Sequence, residues 1–105
     1  MKTKLTDITD IIRSKNSGPY EITFDMIFKN YEYFNAVCKA KVINEDLIAR
    51  LYRIPKEDII NIIEFVPAKA IKATIRRPIC SGDLGETDVY GAQQHAPLLN
   101  VEFEL

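Results

Sequence analysis

Residues 21–28 read Glu-Ile-Thr-Phe-Asp-Met-Ile-Phe, and their alternation constrains the chain more than any other feature: Ile22, Phe24, Met26 and Phe28 fall on one side, Glu21, Thr23 and Asp25 on the other. Strand side chains point to opposite faces with a period of two, so this segment is a strand with one face on a core and one turned away from it. Such a strand needs a sheet to pair in and a second layer over its apolar face.

The rest of the chain supplies both. Ile8, Ile11 and Ile12 stand at helical spacing after Thr6 or Asp7, which predicts a short N-terminal helix. Ser14-Lys15-Asn16-Ser17-Gly18-Pro19 then reads as a turn, because Gly18 permits positive φ and Pro19 stops a helix. Asn30 can cap a helix carrying Tyr31, Phe34, Val37 and Cys38 on one side, and Asn44 a second carrying Leu47, Ile48, Leu51 and Tyr52. Ile54-Pro55 ends the second helix. Residues 59–66 are apolar on both faces apart from Asn61 and Glu64, the pattern of a central strand rather than an edge. Residues 71–76 alternate Ile71, Ala73, Ile75 with Lys72, Thr74, Arg76, a strand with a basic face, and 99–105 alternate as a terminal strand.

The fold class expected is therefore α+β: a two-layer sandwich of about four mostly antiparallel or mixed strands with helices on one face. A chain of 105 residues fills a single domain, 1–105. Hydrophobic residues make up 47% and charged residues 28%, the balance of a chain that folds rather than one that stays disordered. Fourteen Lys and Arg against fifteen Asp and Glu leave a net charge of −1, which provides no field for a nucleic-acid backbone and little repulsion between copies. Asp7 and Asp10 interrupt any apolar leader, and no run approaches the ~20 apolar residues of a membrane span. A cytoplasmic protein without nucleic-acid or membrane partners is expected. Cys38 and Cys80 lack metal-ligand spacing and read as free thiols.

Chemistry concentrates in two places. Residues 77–97 fit no periodicity, and loops of that length in compact domains are usually functional or disordered. Val89 to Val101 carries no Asp, Glu, Lys or Arg, yet holds Tyr90, Gln93, Gln94, Asn100 and the sole histidine, His95. Uncharged donors and acceptors suit a ligand bearing carbonyl, carboxylate or hydroxyl groups; the same amides also serve a purely structural loop by satisfying neighbouring backbone. His95 is the side chain that titrates near neutrality and so the candidate general acid or base. Asp83, Asp88 and His95 have no diagnostic metal spacing, so no metal or other cofactor is expected, and Cys80 lacks the surroundings of a nucleophile. Ser81-Gly-Asp-Leu-Gly85 lacks the Gly-Lys-Ser/Thr ending of a phosphate loop. The second place is the Ser14-Lys15-Asn16 turn, a candidate anion site to which Lys72, Arg76 and Arg77 can add charge.

Together Ser14-Lys15-Asn16-Ser17-Gly18-Pro19, Thr23 to Phe28, Leu51-Tyr52, Lys72-Ala73-Thr74 and Asp88 to Leu98 make the chain resemble domain-of-unknown-function family 4387 along nearly its whole length, with Ser17 where a residue such as alanine is expected. Members of that family occur beside, or fused to, proteins similar to the acyclic terpene utilisation protein AtuA. The resemblance implies a small subunit or accessory component of a two-part catabolic enzyme, a hydratase, lyase or isomerase acting on an organic acid or acyl thioester. On that expectation Ser14, Lys15, Asn16 and Arg76 hold a carboxylate or phosphate, Gln93 and Gln94 orient the substrate and His95 moves a proton. The partner is then an AtuA-like large protein, a second copy of the chain, or both. The rival expectation is a non-catalytic oligomerisation module that uses the uncharged 89–99 segment as an interface.

Overall fold

The computed structural model describes residues 2–18, 20–76 and 96–104. The alternating segment forms strand β3 (Glu21–Phe28). Its expected inward residues Ile22, Phe24, Met26 and Phe28 are all buried. Strand β2 (Thr9–Gly18) pairs with one edge of β3 and strand β5 (Ala70–Arg76) with the other; β4 (Ile59–Phe65) lies outside β5. The sheet order is β2-β3-β5-β4, antiparallel throughout.

Helices α2 (Tyr31–Ala40) and α3 (Glu45–Tyr52) start where the sequence places them. The Asn30 side chain accepts from the Tyr33 N–H at 2.8 Å and Asn44 from the Leu47 N–H at 2.9 Å, each satisfying a donor that the first turn leaves without a partner. Both helices end on a left-handed residue, Lys41 and Arg53, at φ near 52° and 55°. Phe34 and Val37 of α2 and Ile48 of α3 enter the core against β3 and β5, and Phe24 stacks on Tyr52 with ring centroids 4.5 Å apart. The fold is α+β, with one layer of helices over one face of the sheet.

A second, two-stranded sheet joins β1 (Lys2–Lys4) to β6 (Glu102–Glu104). Lys2 lies opposite Glu104 and Lys4 opposite Glu102, so unlike charges face each other across the pair. Between this ribbon and the main sheet, Leu5, Ile8, Leu98 and Val101 complete the same core.

Three local expectations change. The N-terminal helix is a single turn, α1 (Leu5–Ile8), closed by Thr9 Oγ1 donating to the Leu5 carbonyl at 2.8 Å; residues 9–18, including the expected Ser14–Pro19 turn up to Gly18, are strand β2. Ile8, Ile11 and Ile12 fit a helical period, but hairpin pairing with β3 outweighs that local pattern. Residues 59–65 form an edge strand, not a central one, and several of their apolar side chains remain exposed. The terminal strand is confined to Glu102–Glu104 and joins the small ribbon, because residues 96–100 turn as a 3-10 helix that inserts Leu98 into the core. No helix among the described residues is long and apolar enough to cross a membrane.

Candidate functional site

The register of the main sheet arranges its helix-free face in cross-strand rows. Residues directly opposite one another share a face. Ile11, Ile27, Ala70 and Phe65 form an apolar row; Arg13, Asp25, Lys72 and Ile63 form the next; Lys15, Thr23, Thr74 and Asn61 form a polar row beyond it. Glu21 and Arg76 face each other at the far end. Four cations and two carboxylates thus share this face, a local excess of positive charge on a chain of net charge −1.

Asp25 is the centre of the arrangement. Its carboxyl side chain is only 3% exposed although it lies on the face without helices, because Arg13 and Lys72 flank it. Arg13 Nε donates to Oδ2 at 3.1 Å. Lys72 Nζ stands 4.0 Å from Oδ1, within ion-pair range and beyond hydrogen-bond range, so Oδ1 is buried without a hydrogen-bond partner. A carboxylate so placed stays in the sheet only with its cations beside it. Both cations remain substantially exposed, and neither the Arg13 Nη groups nor the Lys72 ammonium is consumed by a short bond to Asp25. Lys72 also lies 5.2 Å from the Phe65 ring centroid, and the Thr23 and Thr74 hydroxyls are linked at 3.0 Å in the adjoining row. Fixed cations above a buried counter-charge, next to hydroxyls, are equipped to hold a carboxylate or phosphate.

The anion turn expected at Ser14, Lys15 and Asn16 is not a turn. In β2 the strand period sends Lys15 to the helix-free face, whereas Ser14 and Asn16 face the helix layer, where Ser14 is buried. Lys15 and Arg76 therefore share a face, on strands separated by β3, and Ser14 and Asn16 do not join them. Arg76 approaches Asp58, Nη1 to Oδ1, at 3.7 Å. Gln93, Gln94 and His95 lie outside the described residues, as do Arg77 and Cys80. Of the neutral 89–99 segment, Leu98 is buried within the core and Leu99 is exposed. Arg13 and Asp25 escaped the sequence reading as a site; the signal was present in the outward set Glu21, Thr23, Asp25 and the basic face of 71–76, but only the pairing of β2 with β3 places Arg13 there.

A separate open cleft of about 640 Å³ lies between β4 and the α2–α3 connection, lined by Cys38, Lys41, Asn44, Ile62 and Glu64 among others. Burial, reinforced by a hydrogen bond to Glu64 and its negative charge, pushes the Cys38 thiol up to about 12, so it remains a neutral thiol and a poor nucleophile at neutral pH. Burial likewise holds the Tyr52 hydroxyl proton above the ordinary tyrosine range. Among the described residues no three His, Cys, Asp or Glu side chains come together as metal ligands.

No curated protein and no solved structure matches the chain. The family model described as Domain of unknown function (DUF4387) matches residues 5–102, nearly the whole chain, and the chain belongs to that family.

Proposed function

We propose that the chain is the small component of an AtuA-like two-part catabolic enzyme, a hydratase, lyase or isomerase acting on an organic acid or acyl thioester, and that it supplies an anion-holding sheet face to a composite site. The observation that supports this reading is the Arg13–Asp25–Lys72 row, where a buried carboxylate sits beneath two partly exposed cations. Arg13 and Lys72 hold the anionic group of the substrate, and Lys15 and Arg76, on the same face, extend the positive field along it. Ser14 and Asn16 brace β2 from the opposite side rather than touch substrate. In this reading His95 moves the proton and Gln93 and Gln94 orient the substrate, as their residue types allow.

The test is co-expression with an AtuA-like large protein, followed by assay of the complex against organic acids and acyl-CoA thioesters. Lys72→Gln raises KM about tenfold with little change in kcat, since it removes binding energy common to substrate and transition state. His95→Ala lowers kcat. Failure of the two chains to associate, or unchanged kinetics in both variants, contradicts the proposal.

A further inference from the structure

We propose that the outer edge of β4 is a self-association surface, on which a second copy of this chain adds its own β4 antiparallel across a two-fold axis through Ile63. The inference goes beyond the anion site and stands independently of it.

A strand at the end of a sheet presents a row of unpaired backbone donors and acceptors, and proteins protect such edges with charges, prolines or breaks in the ladder. The other edge of this sheet is protected in that way: β2 carries exposed Asp10, Arg13 and Lys15 and two register shifts. β4 is not. It reads Ile-Ile-Asn-Ile-Ile-Glu-Phe, followed by Val66, with Ile60, Ile63, Phe65 and Val66 exposed by 42%, 47%, 44% and 56%. Among the described residues β5 is its sole strand partner. Apolar side chains on both faces of an edge strand are the composition of a strand that is central in the assembled protein.

The occupant follows from self-complementarity. One register shift separates Ile59 from Asn61, and the ladder with β5 is regular from Asn61 to Phe65, a stretch whose midpoint is Ile63. A two-fold axis there places Ile63 opposite Ile63, Asn61 opposite Phe65 and Ile62 opposite Glu64, with no like charges directly across. Moving the axis one residue on, to Glu64, would set two glutamates face to face, which is destabilising. The small net charge of −1 adds no long-range repulsion. The same register keeps both helical layers on one side and continues the Arg13–Asp25–Lys72–Ile63 row of one copy directly into that of the next, giving an eight-stranded sheet.

Sedimentation equilibrium of the full chain across a wide concentration range reads the association. The wild type is a dimer, and Ile63→Lys, which sets two ammonium groups across the axis at an exposed position, weakens dimerisation about 100-fold while leaving the far-UV circular dichroism spectrum unchanged. In a Cys38→Ser, Cys80→Ser background, Ile63→Cys forms an intermolecular disulfide on mild oxidation, because opposed strand residues lie within disulfide reach, and Phe65→Cys, displaced by four residues from its symmetry mate, does not. A monomeric wild type, a dimer indifferent to Ile63→Lys, or cross-linking through Phe65→Cys and not Ile63→Cys overturns the proposal.

Discussion

Arg13 and Asp25 face each other across β2 and β3, and the Arg13 Nε donates to a carboxylate that is 3% exposed on the sheet face without helices. An ion pair in that position ties the site's charge to the hairpin that carries it. Arg13→Met removes the Nε hydrogen bond to Asp25 and leaves its carboxylate buried beside Lys72 at 4.0 Å. A broken buried pair costs ~3–5 kcal/mol; with the Arg13 side chain itself 58% exposed, solvent screening reduces the expected loss to about 2 kcal/mol. Urea unfolding of the variant measures it, and Arg13→Lys, which keeps the charge, recovers part of the loss.

The two helix N-termini give a second expectation. Asn44 both accepts from the Leu47 N–H at 2.9 Å and donates to the Lys41 carbonyl at 2.8 Å, whereas Asn30 makes the first kind of bond at 2.8 Å. Removal of a capping side chain costs about 1 kcal/mol, so Asn30→Ala and Asn44→Ala each lower stability by roughly that amount, Asn44→Ala by the larger share. Thermal or urea denaturation distinguishes them.

At the other ends of the same helices, Lys41 and Arg53 occupy left-handed backbone, a region that costs a residue with a Cβ more than it costs glycine. Both side chains are exposed. Lys41→Gly and Arg53→Gly are each expected to stabilise the protein, by about 0.5–1 kcal/mol once relief of strain is set against the greater freedom of glycine in the unfolded chain. Unfolding free energies unchanged or lowered in both variants would contradict that assignment of strain.

Cys38 provides a pH dependence with a defined sign. Its thiol is raised from 9.0 to about 12 in the folded chain, first by burial and then by Glu64. A group whose folded pKa is raised contributes stability that is complete below the unfolded value and declines as pH climbs from about 9 toward 12. Wild type therefore loses more stability over that interval than Cys38→Ser. At pH 8 the thiol reacts slowly with iodoacetamide, and Glu64→Gln, which takes away the carboxylate's charge, speeds the reaction.

Much of this fold was legible in the sequence because local pattern and tertiary demand agree there: the alternation in 21–28 meets a core on one side, and Asn30 and Asn44 cap helices whose apolar faces repeat at helical spacing. Residues 9–18 were not, since Ile8, Ile11 and Ile12 satisfy a helix while Ser14 and Asn16, polar on the inward face, hide the strand period. Residues 59–65 misled for another reason: apolar side chains on both faces specify burial, and burial against a neighbour within the sheet or against another molecule gives the same residue types. As for the site, Lys15 and Arg76 were identified as cations, but their separation from Ser14 and Asn16, and the place of Asp25 between Arg13 and Lys72, follow from register alone.

Binding of an anion over Asp25 on the helix-free face is read by a backbone amide chemical-shift titration of the full chain with a dicarboxylate such as succinate. Saturable shifts are expected to concentrate at Arg13, Lys15, Asp25 and Lys72 across β2, β3 and β5, with the midpoint moved to higher ligand concentration by about tenfold in Lys72→Gln. Saturable shifts that instead gather around Cys38, Asn44 and Glu64, or no saturable shifts at all, would contradict it.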